Sequence, residues 1–286
     1  MLTAKQIQEC VFWACQQEVS APKPGNVNSF SGNHEMIAAD FIKSAYAIAP
    51  IMAQADLSVG ELILQSIRAT RDVVNCNTNL GIVLLFAPLC KAAHQCRTFE
   101  QLPNALDNIL DNLTIDDAEK CYQAIRLAEA GGMGEVESHD INKQPTITLK
   151  QAMKIAEKRD TIARQYVNNY DAIWCIGLPN LTKAINCGET VEWATTFAYL
   201  IMLSKMPDTL VHRKYGQVIA EKISTDAHSL IKKIKENSRL SDIQFEVIEW
   251  DNKLKKEKRN PGTTADLVAA TLLIYIFQQK CLKTKF

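Results

Sequence analysis

Apolar residues recur at intervals of three and four along most of the chain, the spacing of one face of a helix. Three segments of the form Ser/Thr-x-x-Gln/Glu precede such patterns: Thr3–Gln6, Ser58–Glu61 and Thr148–Gln151. Each matches the capping box of a helix N-terminus. Thr114–Asp117 and Thr263–Asp266 indicate further starts, in which a first-turn carboxylate meets the positive end of a helix. The pattern therefore predicts a largely helical chain.

Runs that alternate strictly between apolar and polar residues are scarce, so a sizeable sheet is not expected. The predicted helices are Ile7–Val19, Ala38–Met52, Glu61–Thr70, Leu80–Ala93, Ala118–Ala130, Ala152–Asn168, Val191–Ser204, Gln217–Asn237, Ile243–Lys256 and Ala265–Gln279. No internal repeat or flexible linker separates them. We predict an all-α protein, a single large helical bundle domain of roughly ten helices over residues 1–286.

Composition narrows the possible ligands. Lys and Arg together number 32, as do Asp and Glu, so the formal net charge is zero. No overall basic field favours nucleic acid as a partner. An anionic ligand must therefore be bound by a local cluster of polar residues.

The nine cysteines are scattered and form no CxxC pair. This usage is typical of reduced thiols and not of a disulfide framework or zinc site. No signal peptide is visible, and the apolar run Leu267–Phe277 is too short to cross a bilayer. We expect a cytoplasmic protein without membrane partners, and we leave its oligomeric state open, with a homodimer as one option.

The segment Glu18–Val27 (EVSAPKPGNV) combines charge with conformational restriction. Pro22 and Pro24 fix the backbone on both sides of Lys23, and Gly25 allows a tight turn or a close approach to a ligand. A lysine held in this way loses little freedom when it binds an anion, so the segment suits a phosphate contact. A proline-stiffened turn with a solvated lysine is an equally good interpretation.

Two polar segments follow. His34, Glu35 and Asp40 lie near a predicted helix start, where the carboxylates could bind Mg²⁺ or interact with the helix dipole. Asn75–Gly81 (NCNTNLG) precedes the apolar helix, whose free N–H groups and positive end suit a phosphate. An Asn-rich cap and turn is the structural alternative.

Two later turns carry similar chemistry. Asp208–Arg213 (DTLVHR) places a carboxylate near a guanidinium, which suits metal plus phosphate or a surface ion pair. Asn260–Leu267 (NPGTTADL) is a tight turn into a helix with Asp266 in its first turn. Asp266 is either a helix-start carboxylate or a group placed at a shared cleft. The glycine-rich turn Gly131–Glu135 is a weak signal, because helix ends look the same.

Taken in order, these segments resemble the triphosphoribosyl-dephospho-CoA synthase family, and the matches extend over nearly the whole chain. PKPG and PGTTADL are the most specific of them. The resemblance implies an all-helical enzyme that joins the ribose carbon of ATP to the 2′-hydroxyl of dephospho-CoA, with release of adenine. Its substrates would be small nucleotides, with ATP among them and Mg²⁺ as the expected cofactor.

The resemblance also implies roles for particular residues. Phosphate would be bound by Lys23 and Arg213, and the catalytic carboxylates would come from Glu35, Asp40, Asp208 and Asp266. Of these, Glu35, Asp40 and Asp208 are the expected Mg²⁺ ligands. The remaining substrate contacts would come from Gly25, Asn26, His34, Asn75, Asn77, Thr78, Gly81, Asn260 and Gly262.

One departure from the family pattern affects the substrate. Where the decarboxylase-associated enzymes carry Asn-Thr-His-Lys-Gly, this chain has Asn77–Gly81 (NTNLG), so a histidine and a cation are absent. Leucine cannot replace a charge-assisted hydrogen bond. The segment Asn79–Leu89 is closer to the branch found in archaea and methylotrophic bacteria. A same-fold enzyme of one-carbon (methanopterin-type) cofactor biosynthesis, and a non-catalytic nucleotide-binding protein, therefore remain alternatives.

Overall fold

A computed structural model describes residues 2–29, 37–129, 143–233 and 240–283. Within these residues the regular secondary structure is helical. The α-helices are α1 (Ala4–Ser20), α2 (Ala38–Met52), α3 (Val59–Val73), α4 (Leu80–Gln95), α5 (Leu102–Asp111), α6 (Ile115–Leu127), α7 (Leu149–Ala156), α8 (Thr161–Val167), α9 (Leu178–Asn186), α10 (Val191–Lys205), α11 (Thr209–Tyr215), α12 (Gln217–Lys232), α13 (Gln244–Lys256) and α14 (Gly262–Lys283). Short 3-10 segments precede α5 and α13, and a π-helical segment precedes α9.

Helices α4 and α14 form the centre of the fold. The segment Gly81–Leu89 of α4 is buried residue for residue, and so is most of Leu267–Ile274 in α14. A helix that is apolar on all sides must lie inside the protein. Helix α14 packs against α1, α4 and α10, and α1 packs in turn against α2. The buried apolar side chains from α1 to α14 form one connected core, and the single domain over residues 1–286 stays a prediction.

The all-α prediction is confirmed, but the described residues contain fourteen α-helices and not roughly ten. Helices α5, α9 and α11 were not predicted. Pro103 and Pro179 lie in the first turns of α5 and α9, where the missing N–H costs nothing, and are not chain breaks. The predicted helix Ala152–Asn168 is two helices, because Asp160 leaves the helical conformation and caps α8 through Ile162 N and Ala163 N.

Helix α4 contains a proline that frees one of its carbonyl groups. Pro88 has no N–H to donate to the carbonyl of Leu84, four residues earlier. The hydroxyl of the buried Tyr166 donates to that oxygen at 2.6 Å, and Tyr170 donates to the carbonyl of Leu85 at 3.0 Å. The two tyrosines therefore satisfy the interrupted part of the helix and hold its first half in place.

Two further features concern the cysteines and the length of the helices. All nine cysteines are unpaired, and five of them are buried. Among the described helices, we find none with the length and apolar character needed to cross a membrane.

Candidate active site

Four helices begin at the wall of one cavity. The cavity has a volume of about 490 Å³, a common size for a small-molecule site. Residues at the N-terminal ends of α4, α8, α11 and α14 line it, together with Glu18 and Asn26 from the end of α1 and the loop after it. Apolar side chains of α6, α7 and α8, among them Ile125, Met153 and Ile162, also line it. The cavity therefore combines polar and apolar lining residues.

The N-terminus of α4 retains free hydrogen-bond donors at the cavity wall. Asn77 accepts a hydrogen bond from Leu80 N at 3.1 Å, so the first N–H group is satisfied. The next N–H groups, of Gly81 and Ile82, have no acceptor within the helix because they belong to its first turn. Thr78 is held by Ser44 at 2.6 Å, and the buried Asn79 has an unpartnered Oδ1. This end of the helix can interact with an anion or a polar ligand group.

Asp266 lies directly against this helix end. A Cβ at position 81 would overlap the Asp266 carboxylate, so glycine is the residue that admits it there. Burial raises the pKa of Asp266 well above its usual range, and the negative charges of Glu18, Asp208 and Asp160 raise it further. Among the described residues, no donor is hydrogen-bonded to the carboxyl group. The surroundings of Asp266, which lies on the cavity wall, therefore favour the protonated form of its carboxyl group.

Glu18 is a second carboxyl group on the same wall. Its Oε1 lies 3.1 Å from Nζ of Lys23, and both side chains are almost fully buried. Burial raises the pKa of Glu18, and the Lys23 ammonium acts in the opposite direction. The two acids, Glu18 and Asp266, thus have different surroundings, since only Glu18 has a cation as its direct partner.

Lys23 does not line the cavity. Besides its ion pair, its ammonium donates to the carbonyls of Glu18, Ala21 and Val27, the latter two at 3.3 and 3.4 Å. Its donors are used inside the loop, so the structure does not bring Lys23 to the cavity wall, and its contact with phosphate stays a prediction that this geometry does not support. The solvated-lysine interpretation is wrong, since Lys23 is fully buried.

The rest of this loop is also fixed to the core. Gly25 has a φ of 83°, and its N–H donates to Asp251 at 2.8 Å, so its conformational freedom serves a turn and not a ligand contact. Tyr199 donates to the carbonyl of Pro24 at 2.8 Å. Asn26 does reach the cavity, where its amide donates to Asn260 at 2.9 Å and its buried Oδ1 has no partner. The loop is a rigid support for Glu18 and Asn26.

Three cations line the wall formed by the segment before α8 and by α11. Arg213 donates to Asp160 at 2.7 Å, and its buried Nε has no partner. Arg159 and Lys214 are exposed at the cavity wall, and neither forms an ion pair within the described residues. Such a group of donors suits an anion with several charges.

Asp208 has a structural position that the sequence did not indicate. One oxygen caps α11 by accepting from Leu210 N and Val211 N at 2.9 and 3.0 Å. The other accepts from the N–H and hydroxyl of Thr264 at 2.7 and 2.8 Å. With four hydrogen bonds in a buried place, Asp208 joins α11 to α14 and does not line the cavity, so its metal and catalytic roles stay predictions that this geometry does not support.

The predicted magnesium set is not assembled by the described residues. Asp40 lies in the first turn of α2, where it accepts a 3.4 Å hydrogen bond from Ile37 N, and it is not on the cavity wall. Glu35 and His34 lie outside the described residues, as does the turn at 131–135. In the described part of the chain, no group of three or more His, Cys, Asp or Glu could hold a metal ion. Asn75 is exposed and away from the cavity.

The sequence model of one protein family, ATP:dephospho-CoA triphosphoribosyl transferase, matches residues 4–284. The chain belongs to this family. The family's activity is the transfer of the triphosphoribosyl group of ATP to dephospho-CoA, so the chain is a transferase of the triphosphoribosyl-dephospho-CoA synthase type.

A solved structure supports this membership. A protein from Archaeoglobus fulgidus described as a triphosphoribosyl-dephospho-CoA synthase superposes with a TM-score of 0.63 and is 26% identical. The match covers 82% of this chain and 97% of the archaeal one. No curated protein matches the chain.

Only some of the residues predicted from the triphosphoribosyl transferase motifs thus lie together in the structure. The structure brings eight of the predicted residues to the cavity wall: Asn26, Asn77, Thr78, Gly81, Arg213, Asn260, Gly262 and Asp266. It adds four that the sequence analysis did not select, namely Glu18, Asn79, Arg159 and Lys214. Glu18 is the first residue of the Glu18–Val27 segment, and its position five residues before Lys23 is the one signal that the sequence offers for it. Arg159 and Lys214 belong to ordinary charged helix ends, and nothing in the sequence distinguishes them.

Proposed function

We propose that this cavity is the active site in which the triphosphoribosyl group of ATP is transferred to the hydroxyl of a dephospho-CoA-type acceptor. The observation that carries the proposal is the meeting of Asp266, the free N-terminus of α4 and three cations at one cavity wall. The cations suit the triphosphate, and the acid suits the leaving base. Family membership supports the reaction, and the cavity supplies the residues for it.

The triphosphate is assigned to the wall of Arg159, Arg213 and Lys214. Guanidinium and ammonium groups form the strong charge-assisted hydrogen bonds that phosphate oxygens require. These three cations also bear on the absence of a lysine at Leu80. Their charge enters the cavity from α11 and from the segment before α8, so the site does not depend on Lys23 or on residue 80 for its positive charge.

Asp266 is assigned to the departing adenine. Cleavage of an N-glycosidic bond leaves an electron pair on the base nitrogen, and a nearby acid that donates a proton makes the base a better leaving group. Asp266 has the raised pKa that this role needs, and no hydrogen bond within the described residues engages its proton. The amide groups of Asn26 and Asn260, which are bonded to each other, can orient the ribose hydroxyls next to it.

Magnesium stays a prediction. The expected ligands do not meet among the described residues, and we assign no protein ligand to the metal. A Mg²⁺ ion that accompanies ATP usually keeps several waters and binds mainly through phosphate oxygens. Titration of the protein with ATP in the presence and absence of Mg²⁺ will measure the contribution of the metal to ATP binding.

A cytoplasmic location and a homodimer are likewise predictions. Cell fractionation will test the location, and analytical ultracentrifugation will test the homodimer.

The purified protein, incubated with ATP, Mg²⁺ and dephospho-CoA, should release free adenine in amounts equal to the triphosphoribosylated product. Chromatography with mass detection measures both. A matched reaction without acceptor reports any simple hydrolysis of the glycosidic bond. ATP binding without adenine release would overturn dephospho-CoA as the acceptor, and a lack of ATP binding would overturn the proposal as a whole.

One observation favours a second acceptor. Leu80 and the buried Asn79 stand where decarboxylase-associated relatives carry a lysine and a histidine, and both line the cavity. The wall at this point is less charged and would suit an acceptor with fewer phosphates, such as a precursor of a one-carbon-carrying cofactor. Competition of pterin-type compounds with dephospho-CoA for inhibition of adenine release distinguishes the two acceptors.

A further inference from the structure

We propose that Glu18 is the general base of the transfer, and that the buried Lys23 and its loop exist to present this carboxylate to the cavity. The inference rests on the proposed function, because it assigns the proton of the acceptor hydroxyl. Glu18 is the first residue of the Glu18–Val27 segment, but the sequence analysis assigns it no role.

The position of Glu18 is unusual for a buried acid. Its side chain is only 2% exposed, yet it forms part of the cavity wall. Lys23 lies 3.1 Å from Oε1, and no hydrogen bond to Oε2 is formed by the described residues. One oxygen is thus fixed by a cation, and the other is available to a ligand in the cavity.

The surrounding loop holds this arrangement rigidly. The Lys23 ammonium is shared with backbone carbonyls of its own loop, and residues 21–28 are all buried. Thr196 donates to the carbonyl of Pro22 at 3.1 Å, and Tyr199 to that of Pro24. Rigid support of this kind keeps a catalytic group in one geometry. Its effect on the rate of a reaction is larger than its effect on the stability of the fold.

A second observation points to a ligand beside Glu18. Asn26, in the same loop, is 5% exposed, lines the cavity and has an Oδ1 without a partner. A buried amide oxygen without a donor is costly unless a ligand supplies one. A hydroxyl of the substrate can supply it next to Glu18.

The two acids then divide the reaction between them. The acceptor hydroxyl oxygen forms a bond to the ribose anomeric carbon while its proton passes to Oε2 of Glu18. The bond between that carbon and the adenine nitrogen breaks, its electron pair stays on adenine, and Asp266 supplies the proton that makes adenine neutral. Glu18 ends with one proton more and Asp266 with one fewer, and exchange with water after release restores both. Two acids in contrasting surroundings are the usual arrangement for paired base and acid catalysis.

The conservative variant Glu18→Asp tests this inference. It keeps the charge beside Lys23 but withdraws the carboxylate by one methylene, so we expect kcat for adenine release to fall by about 10²-fold or more. The Kd for ATP, measured by calorimetry without acceptor, should stay within about twofold of the wild-type value. An unchanged kcat would overturn the assignment, and so would an equal loss in ATP affinity.

A second variant separates chemistry from folding. Glu18→Gln alone leaves Lys23 as a buried unpaired charge and is expected to lower the melting temperature. Glu18→Gln combined with Lys23→Met removes both charges and should recover the melting temperature while adenine release stays at least 10²-fold reduced. Recovery of activity together with stability would show a structural role only and overturn the inference. Absence of adenine with wild-type protein would overturn the proposed function as well, which the wild-type reaction reports separately.

Discussion

The carboxylate of Asp266 occupies the space where any side chain at Gly81 would begin. Gly81 lies in the first turn of α4 and Asp266 is the fifth residue of α14, so the contact fixes where these two central helices start relative to each other. Position 81 therefore needs glycine for lack of space and not for backbone conformation. The acid of the site is placed by the packing of the core itself.

Gly81→Ala should therefore damage both stability and activity. The added methyl group overlaps the Asp266 carboxyl group, and overpacking of this kind costs about 1–3 kcal/mol. We expect a lower urea midpoint together with a reduced kcat, because the acid must move. In an Asp266→Ala background the same substitution should cost less, since the overlap with the carboxyl group is gone and the remaining close neighbour is the flexible end of the Ile162 side chain. Equal costs in both backgrounds would contradict the contact.

The cations at the cavity wall, Arg159, Arg213 and Lys214, predict a defect in the binding of ATP. Arg159→Ala and Lys214→Ala should each raise the KM for ATP about tenfold, the equivalent of about 1.4 kcal/mol, with little change in kcat. Both effects should shrink at high salt, because the two side chains are exposed. Lys158→Ala is the matched control, since Lys158 neighbours Arg159, is exposed and does not line the cavity. An equal rise of KM in that control would contradict the assignment of ATP binding to these cations.

The sequence predicted the fold class well because helical periodicity is a local property. The start and end of α2 were predicted correctly. The short helices α9 and α11 were not predicted, because a helix of seven to nine residues contains too few turns for its periodicity to be recognised. Pro103 and Pro179 also interrupt the sequence pattern at α5 and α9, although proline is well suited to the first helical turn.

The site was harder to predict than the fold, because residue type does not tell where a side chain points. Lys23 had the composition of a phosphate contact, and only the structure shows that Glu18 and three carbonyls surround it. Asp208 looked like a metal ligand, but four donors fill its two oxygens. Such hydrogen-bond partners are backbone groups or residues tens of positions away in the sequence. A sequence motif therefore does not identify them.

Asp208→Asn should destabilise the protein. The amide group turns its N–H₂ toward N–H donors and leaves part of the buried hydrogen-bond set unsatisfied, which costs about 2–4 kcal/mol. Chemical denaturation measures this cost directly. The surface variant Asp226→Asn, in an i,i+4 ion pair with Lys222, should change stability by less than about 0.5 kcal/mol. Full stability with lost turnover would instead indicate a chemical role for Asp208.

Tyr166 and Pro88 should be energetically coupled. Tyr166→Phe removes the donor to the free Leu84 carbonyl and should cost about 1–3 kcal/mol, the penalty of a buried unsatisfied acceptor. In a Pro88→Ala background a backbone N–H becomes available to that carbonyl, so the same change should cost about 1 kcal/mol less. A double-mutant cycle on unfolding free energies tests the coupling. Additive costs would mean that Pro88 does not create the need for Tyr166.

Asp266→Asn should stabilise the protein at neutral pH while it abolishes turnover. The pKa of Asp266 is raised in the folded state by burial and by neighbouring carboxylates, so the folded protein holds this proton more tightly than the unfolded chain. The corresponding stability is fully present below the unfolded pKa, near 4, and is lost as the pH rises through the folded pKa.

The asparagine variant cannot titrate and avoids this loss. The melting-temperature difference, variant minus wild type, should be close to zero near pH 4 and should grow as the pH rises toward 8. Glu18 and Asp208 titrate in both proteins, so the difference isolates Asp266. A difference that stays constant with pH would show that Asp266 is ionised in the folded protein, and it could not then supply the proton to adenine. Scanning calorimetry at several pH values, paired with adenine-release assays on both proteins, decides whether the acid needed for the reaction is also the group that lowers stability.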